Sequence, residues 1–248
     1  LNAGAAGLSK EDLAKSVKLD ALTIPTAGEL FTALNKVAKP NWQQQYRKPI
    51  PTAFTSRPQI ALNLGGLIAD GYIAVQAEDS QQVKNIGKDI VALAKTLGVS
   101  ENVLRRGKCI SDFAENNEWN ALKEELEATQ NEVKQAMEEQ HDEELITLVT
   151  LGGWIRGTEV VSAWISENYQ PAAAKLLRQP AIVAFLQNKL QALPDKAKSD
   201  PLVLDVASKL DGIEKLLSFP SDKTPTLEEV KALNAATAEL VKEISTKQ

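Results

Sequence analysis

The chain has 248 residues, of which 43% are hydrophobic and 25% are charged, and its formal net charge is −5. This composition is typical of a globular protein and excludes an intrinsically disordered chain. The acidic balance argues against a nucleic-acid-binding surface and provides no attraction to anionic lipid. The single cysteine, Cys109, excludes an intramolecular disulfide, and we interpret it as a small hydrophobic residue rather than a reactive thiol.

The first 57 residues have the least regular pattern. "SKEDLAKSVK" predicts a short helix and "TAGELFTALNKVAK" a clearer one, in which Thr26 and Glu29 stand at the spacing of a capping box. Residues 39–58 contain four prolines, which exclude a continuous helix. We call this segment the strap, because we expect it to lie over the core through its aromatic residues, Trp42, Tyr46 and Phe54.

From residue 58 the hydrophobic pattern has helical periodicity almost without interruption, and no run alternates as a strand does. Turn signals such as "TLGVSEN" and "FPSDKTPTLEEV" separate the segments. Short connections between long helices favour antiparallel neighbours. The pattern predicts helices at 58–77, 79–97, 101–116, 117–140, 142–167, 171–192, 200–218 and 226–246.

We therefore predict an all-α fold, a compact multi-helix bundle of antiparallel long helices over residues 58–248. A Pro-rich, irregular N-terminal arm, residues 1–57, precedes it. We expect a single domain, because no long polar linker interrupts the chain. The last two helices either extend the bundle or form a loosely attached pair. The segment 117–140 is amphipathic and predicts an outer helix, with its apolar stripe formed by Leu122, Leu126, Val133 and Met137.

Two stretches place a glycine pair inside an apolar run. "LGGLIADGY" covers residues 64–72, and "LGGWIRGTE" follows 87 positions later at residues 151–159. Both segments are apolar on nearly every side, which predicts two central buried helices. Their internal charges argue against membrane insertion. The five matching positions suggest an internal duplication with pseudo-twofold symmetry, although chance also produces matches of this length.

Glycine inside a helix costs up to about 1 kcal/mol relative to alanine, so these pairs, with Gly71 and Gly157, need an explanation. One explanation is a close crossing of the two central helices at their glycine faces. The other is a space that a ligand fills. The sequence leaves both open.

The charges on these helices need partners, because a buried unpaired charge costs several kcal/mol. The simpler prediction is an ion pair between Asp70 and Arg156, with Glu159 as a second partner. The alternative is a polar-lined pocket in which Arg156 binds an anionic ligand and two aromatic residues form walls. The residues of this candidate ligand site are Asn63, Gly66, Asp70, Tyr72, Trp154, Arg156 and Glu159.

The sequence shows no catalytic or metal-binding constellation. His141 is the only histidine and lies in a charged helix junction with no nucleophile motif nearby. Glu138 and His141 have the spacing of half a di-iron site, but that site needs the motif twice. No glycine-rich phosphate loop follows a strand. We therefore expect no catalytic residues, no metal and no cofactor.

The leading hypothesis is a non-catalytic, exported helical-bundle protein that binds a partner protein or a small ligand near the Gly-Gly crossing. One alternative is a structural module without a ligand, and another is an enzyme that uses buried carboxylates and Arg156. The chain opens "LNAGAAGLSK" without Met, which fits either a mature exported protein or a trimmed chain. We expect a periplasmic or secreted location, with a cytoplasmic one as the alternative.

Overall fold

The computed structural model describes residues 17–19 and 22–246, and this part of the chain confirms the predicted all-α class. It also contains a small hairpin, in which β1 (Val17–Leu19) pairs antiparallel with β2 (Leu22–Ile24). Strands of three residues are too short to produce a visible alternation. The helix predicted over "SKEDLAKSVK" is wrong at Val17 and Lys18, which pair with β2, and its earlier residues lie outside the described part.

Helices account for most of the remaining chain, and the long ones lie where the periodicity predicts them. A 3-10 turn at Trp42–Gln45 interrupts the strap, and a second 3-10 turn is formed by Lys175–Leu177. The helices are α1 (Ala27–Val37), α2 (Arg57–Gln76), α3 (Ser80–Leu97), α4 (Ser100–Glu115), α5 (Trp119–Glu139), α6 (Glu143–Glu167), α7 (Pro171–Ala174), α8 (Pro180–Gln191), α9 (Asp195–Lys198), α10 (Pro201–Leu217) and α11 (Leu227–Ser245).

The prediction of a single helix over residues 171–192 is wrong, because the helical conformation is interrupted before Pro180. The residue that precedes a proline is disfavoured in the helical region, and Gln179 has φ −140° and ψ 44°. Pro180 then begins α8, where its missing N–H leaves no hydrogen bond unmade.

Capping residues fix several helix starts. Thr26 and Glu29 form the predicted capping box of α1, in which each side chain bonds to the backbone N–H of the other residue. Thr226 and Glu229 make the same pair of bonds at the start of α11. Ser56 begins α2 by accepting from the N–H of Gln59. These bonds satisfy the free amides of each first turn.

The chain divides into two compact units. One, the strap unit, comprises Asn41–Gly153 with the described residues of Ser245–Gln248. The other, the C-terminal unit, comprises the described residues up to Pro40 and Trp154–Ile244. Helix α6 contributes residues to both units. The single-domain organisation with an arm over residues 1–57 stays a prediction.

Within the strap unit, α2 packs against α3, α3 against α4 and α4 against α5. A residue with positive φ follows α2, α3, α4 and α5, which lets the backbone reverse within a few residues. Glycine does this after α3, whereas the other three turns use side-chain-bearing residues, Glu78, Asn117 and His141. The exposed position of His141 confirms its interpretation as a helix junction.

Burial follows the predicted pattern. Helix α2 is buried along nearly its whole length, as expected for a central helix, and on α5 the side chains of Leu122, Val133 and Met137 are buried while that of Leu126 is half-buried. In the described residues, none of the helices has the length and apolarity needed to cross a membrane.

Candidate ligand site

The glycine pairs bring the backbones of α2 and α6 into direct contact. A Cβ atom on Gly65 would overlap the carbonyl oxygen of Val149 and lie 2.7 Å from the amide nitrogen of Gly153. A Cβ on Gly152 would overlap the carbonyl oxygen of Leu62. No side chain fits at these positions, so the close-crossing explanation holds for Gly65 and Gly152. The space that they leave is filled by backbone.

Gly66 faces a side chain instead of a helix backbone. The atom nearest to a Cβ built there is Nη2 of Arg47, at 3.2 Å. Arg47 belongs to the strap, and its Nε donates to Oδ2 of Asp70 at 2.8 Å, while its Nη2 lies 2.7 Å from the same oxygen. Gly66 and Asp70 therefore share one face of α2, as predicted, and together they receive the guanidinium of Arg47.

Aromatic residues attach the strap to the helices. Trp42 and Phe54 are buried, and the hydroxyl of the half-buried Tyr46 donates to Oδ2 of Asp79 at 3.2 Å. Burial and the neighbouring carboxylate raise the pKa of Tyr46, so this hydroxyl keeps its proton. Asp79 also accepts from the N–H of Gln82 and thereby caps α3. The predicted strap over the core is confirmed.

Between the strap and helices α2 and α3 lies a cavity of about 330 Å³, which we call the strap cavity. Residues 46–50 of the strap form one side, and Leu67, Asp70 and the first half of α3 form the other. Its volume is within the range of small-molecule sites, roughly 300–1,000 Å³. Of the seven predicted site residues, Asp70 alone lines the strap cavity.

The strap cavity is lined by charges of both signs. Arg47 and Asp70 neutralise each other, which leaves Lys48 and Lys88 as exposed cations and Asp89 as a half-buried carboxylate. Burial raises the pKa of Asp89 above its usual value. Beyond the Arg47–Asp70 pair, cations therefore outnumber anions in the lining.

The other predicted site residues have partners that the sequence did not indicate. The Nδ2 of Asn63, whose side chain is buried, donates to the carbonyl of Gln59 in the same helix. The hydroxyl of Tyr72 lies 3.5 Å from Oε1 of Gln130 on α5. Both contacts fix side chains within the strap unit, and neither residue lines the strap cavity.

The remaining three predicted residues lie on α6 in the C-terminal unit. The indole nitrogen of Trp154 donates to Oε1 of Gln179 at 2.8 Å. Arg156 donates from Nη1 to Oε2 of Glu159 at 2.6 Å, and its side chain is only 5% exposed. The predicted pairing of Arg156 with Glu159 is confirmed. The ion pair between Asp70 and Arg156, and a pocket lined by all seven residues, stay predictions.

Sequence reasoning missed Arg47, Lys48, Lys88 and Asp89, which all line the strap cavity. The signal for Arg47 was present, because Asp70 needed a cation and the strap supplies one at "QYRKP". Lys88 and Asp89 have the pattern of an ordinary solvated helix face, and only the placement of the strap makes them part of a cavity wall.

A metal centre is not supported by the described residues, which contain no group of three or more His, Cys, Asp or Glu side chains placed to hold an ion. Cys109 is exposed, so its interpretation as a small buried hydrophobic residue is wrong. It lies on the outer face of α4, beside the exposed Lys108, rather than in the core.

No protein family, curated protein or solved structure is significantly similar to this chain.

Proposed function

We propose that this protein works by binding, and that the strap cavity takes a small polar molecule with an anionic group. The observation that carries the proposal is the cavity itself, about 330 Å³ in volume, closed on one side by an anchored segment and lined by charges. Pockets of this size with a few convergent polar groups are the usual form of a small-molecule site.

The charges of the lining favour an anion. Lys48 and Lys88 line the cavity and are exposed, so their ammonium groups can bind a carboxylate or phosphate oxygen. The guanidinium of Arg47 already faces Asp70 and contributes less to binding an anion. Asp89 adds an acceptor for a hydroxyl or ammonium group on the same ligand. A molecule with both kinds of group, such as a hydroxy acid or an amino acid, matches this lining best.

The Arg47–Asp70 pair gives the site a fixed base. Two nitrogens of one guanidinium approach one carboxylate oxygen, and Gly66 leaves the room for them. A site whose polar groups are already held in place loses less conformational entropy when a ligand binds. We therefore assign this pair a positioning role.

The first experiment is a native mass spectrum of the gently purified protein, followed by thermal unfolding with a panel of amino acids, small carboxylic acids and phosphate. We expect a copurified adduct, or a panel member that raises the unfolding temperature. The Lys88→Glu variant should lose this effect, because its charge repels the anion. Lys196→Glu, which reverses the charge of an exposed lysine in α9, is the matched control.

A clean apo mass together with no stabilising panel member would reject a small anionic ligand. An effect that survives Lys88→Glu would move the site away from the strap cavity. An exported location is a separate part of the proposal, and fractionation of the source cells followed by immunodetection tests it.

A further inference from the structure

A second cavity lies inside the strap unit, among α2, α3, α4 and α5, and we call it the inner cavity. Its volume is about 50 Å³, several times the roughly 10–15 Å³ that one water molecule needs. Each of the four helices contributes branched apolar side chains to its wall, including Ile68, Ile90, Ile110 and Leu126. No charged residue lines it.

The two polar side chains in the wall are engaged with the protein. The hydroxyl of Thr129 donates to the carbonyl oxygen of Glu125 at 2.7 Å. The Oε1 atom of Gln130 faces the hydroxyl of Tyr72. A water molecule needs two to four polar partners to be stable in a cavity, so this wall favours an apolar occupant over water.

Two glycines keep the space open. A Cβ on Gly71 would meet only Cγ2 of Ile86, at 3.9 Å, and a Cβ on Gly87 would meet no atom within 4 Å. Neither glycine has the positive φ that would require it, in contrast to Gly98. No backbone approaches Gly87 as Val149 approaches Gly65. A glycine inside α3 lowers helix stability, and close packing does not explain this one.

The wall is also accessible from outside. The side chains of Ile68, Ile90, Ile110 and Leu126 are half-buried, whereas Leu64, Val83 and Ile86 behind them are buried. A ligand can therefore reach the inner cavity without unfolding a helix. A bound apolar ligand would cover the apolar surface that these four side chains expose to water, which favours binding.

We propose that the inner cavity, at about 50 Å³, is a binding site for a compact, uncharged apolar group smaller than an aromatic ring. This site differs from the strap cavity in chemistry and in lining, since Ile86 is the one residue that lines both. It does not depend on the proposed function, because a ligand in either cavity is detectable without one in the other.

Xenon under increasing pressure is the probe that we would titrate into the whole protein, with methyl-labelled isoleucine, leucine and valine observed by NMR. We expect saturable shifts of the Ile68, Ile90 and Ile110 methyl signals. Signals from Ile182 and Ile213, which are buried in the C-terminal unit, should not move. Absence of saturable shifts at the cavity methyls, or equal shifts in the two units, would overturn the proposal.

A cavity-filling variant then tests whether the probe binds in the inner cavity. Gly87→Leu fills the open space beside Gly87 and should weaken xenon binding at least about tenfold. Gly212→Leu is the matched control, because Gly212 lies in α10, is exposed and has the same open surroundings. Gly87→Ala, a smaller change, replaces Gly87→Leu if the latter does not fold. Unchanged affinity in the folded Gly87 variant would reject the site.

Discussion

The carbonyl oxygen of Leu62 occupies the place where a side chain on Gly152 would begin. The same relationship recurs between Val149 and Gly65, and each residue of the second pair is 87 positions from its counterpart in the first. The crossing of α2 and α6 is therefore locally twofold, in the register that aligns the two glycine stretches. This geometry supports the internal duplication, which stays a prediction.

The close crossing predicts that any side chain at Gly65 or Gly152 destabilises the protein. Gly65→Ala and Gly152→Ala should each lower the free energy of unfolding by about 1–3 kcal/mol, because the added Cβ forces two backbones apart. This loss exceeds the gain of roughly 1 kcal/mol that alanine brings to a helix interior. Urea denaturation followed by circular dichroism measures both variants.

Gly212→Ala is the control for this prediction. The exposed Gly212 of α10 has open space where a Cβ would be, so alanine should raise stability by about 0.5–1 kcal/mol. If alanine stabilises at Gly65 as it does at Gly212, the backbone contact does not set the helix spacing.

The helices were predictable because each of them buries one face or its whole surface. The buried positions produce a hydrophobic periodicity in the sequence. The central position of α2 follows from "LNLGGLIADGYIAV", where apolar residues surround the helix. The break before Pro180 had a visible signal in the proline, but the surrounding apolar period outweighed it. The strands at Val17 and Leu22 are too short for any period.

The candidate site was predictable only in part. Gly66 and Asp70 lie on one face because helix geometry fixes their spacing. Their partner Arg47 belongs to the strap. The prolines of the strap remove any hydrophobic periodicity, so its course over the helices is determined by tertiary contacts that the sequence does not show. The sequence interpretation sought the partner of Asp70 in the other glycine helix, because buried charges on two adjacent apolar helices suggested each other. Arg47, the cation that pairs with Asp70 in the structure, lies in irregular chain.

The Arg47–Asp70 pair should show strong coupling. The Asp70 side chain is only 10% exposed, so Arg47→Met removes a cation from a carboxylate with little water and should cost about 1–3 kcal/mol. Asp70→Asn should cost a similar amount. The double variant should lose less than the sum, and urea denaturation of the four proteins gives the coupling energy. Additive losses would mean that the two groups do not interact.

The Arg156–Glu159 pair of α6 tests whether a buried charge is needed for folding. Arg156→Met leaves Glu159 without this cation and should lower stability by about 1–3 kcal/mol. Arg156→Met with Glu159→Gln removes both charges and should regain most of that loss, since neutral side chains avoid the desolvation penalty. A double variant as unstable as the single one would show that Arg156 stabilises the fold through other contacts.

Because of Lys134 on α5, the free energy of unfolding should rise as the pH is raised above neutrality. Its side chain is buried, its Nζ has no hydrogen-bond partner within the described residues, and burial lowers its pKa to about 7 against the opposing effect of Glu138. Between about pH 7 and its ordinary pKa near 10.5, the unfolded chain holds a proton that the folded chain has released. Raising the pH through this window therefore favours the folded state, and the full penalty remains below it.

Lys134→Met removes the charge and keeps a side chain of similar length and volume. It should raise the free energy of unfolding by about 2–5 kcal/mol at pH 6, and the gain should shrink towards zero as the pH approaches about 10.5. Lys108→Met, at an exposed position of α4, should change stability little at either pH and so corrects for the groups that titrate in both proteins. A Lys134→Met gain that is equal at pH 6 and pH 10 would mean that packing, and not the buried amine, is responsible. In that case Lys134 would be protonated in the folded protein across the whole range, and a counter-charge would have to lie against it.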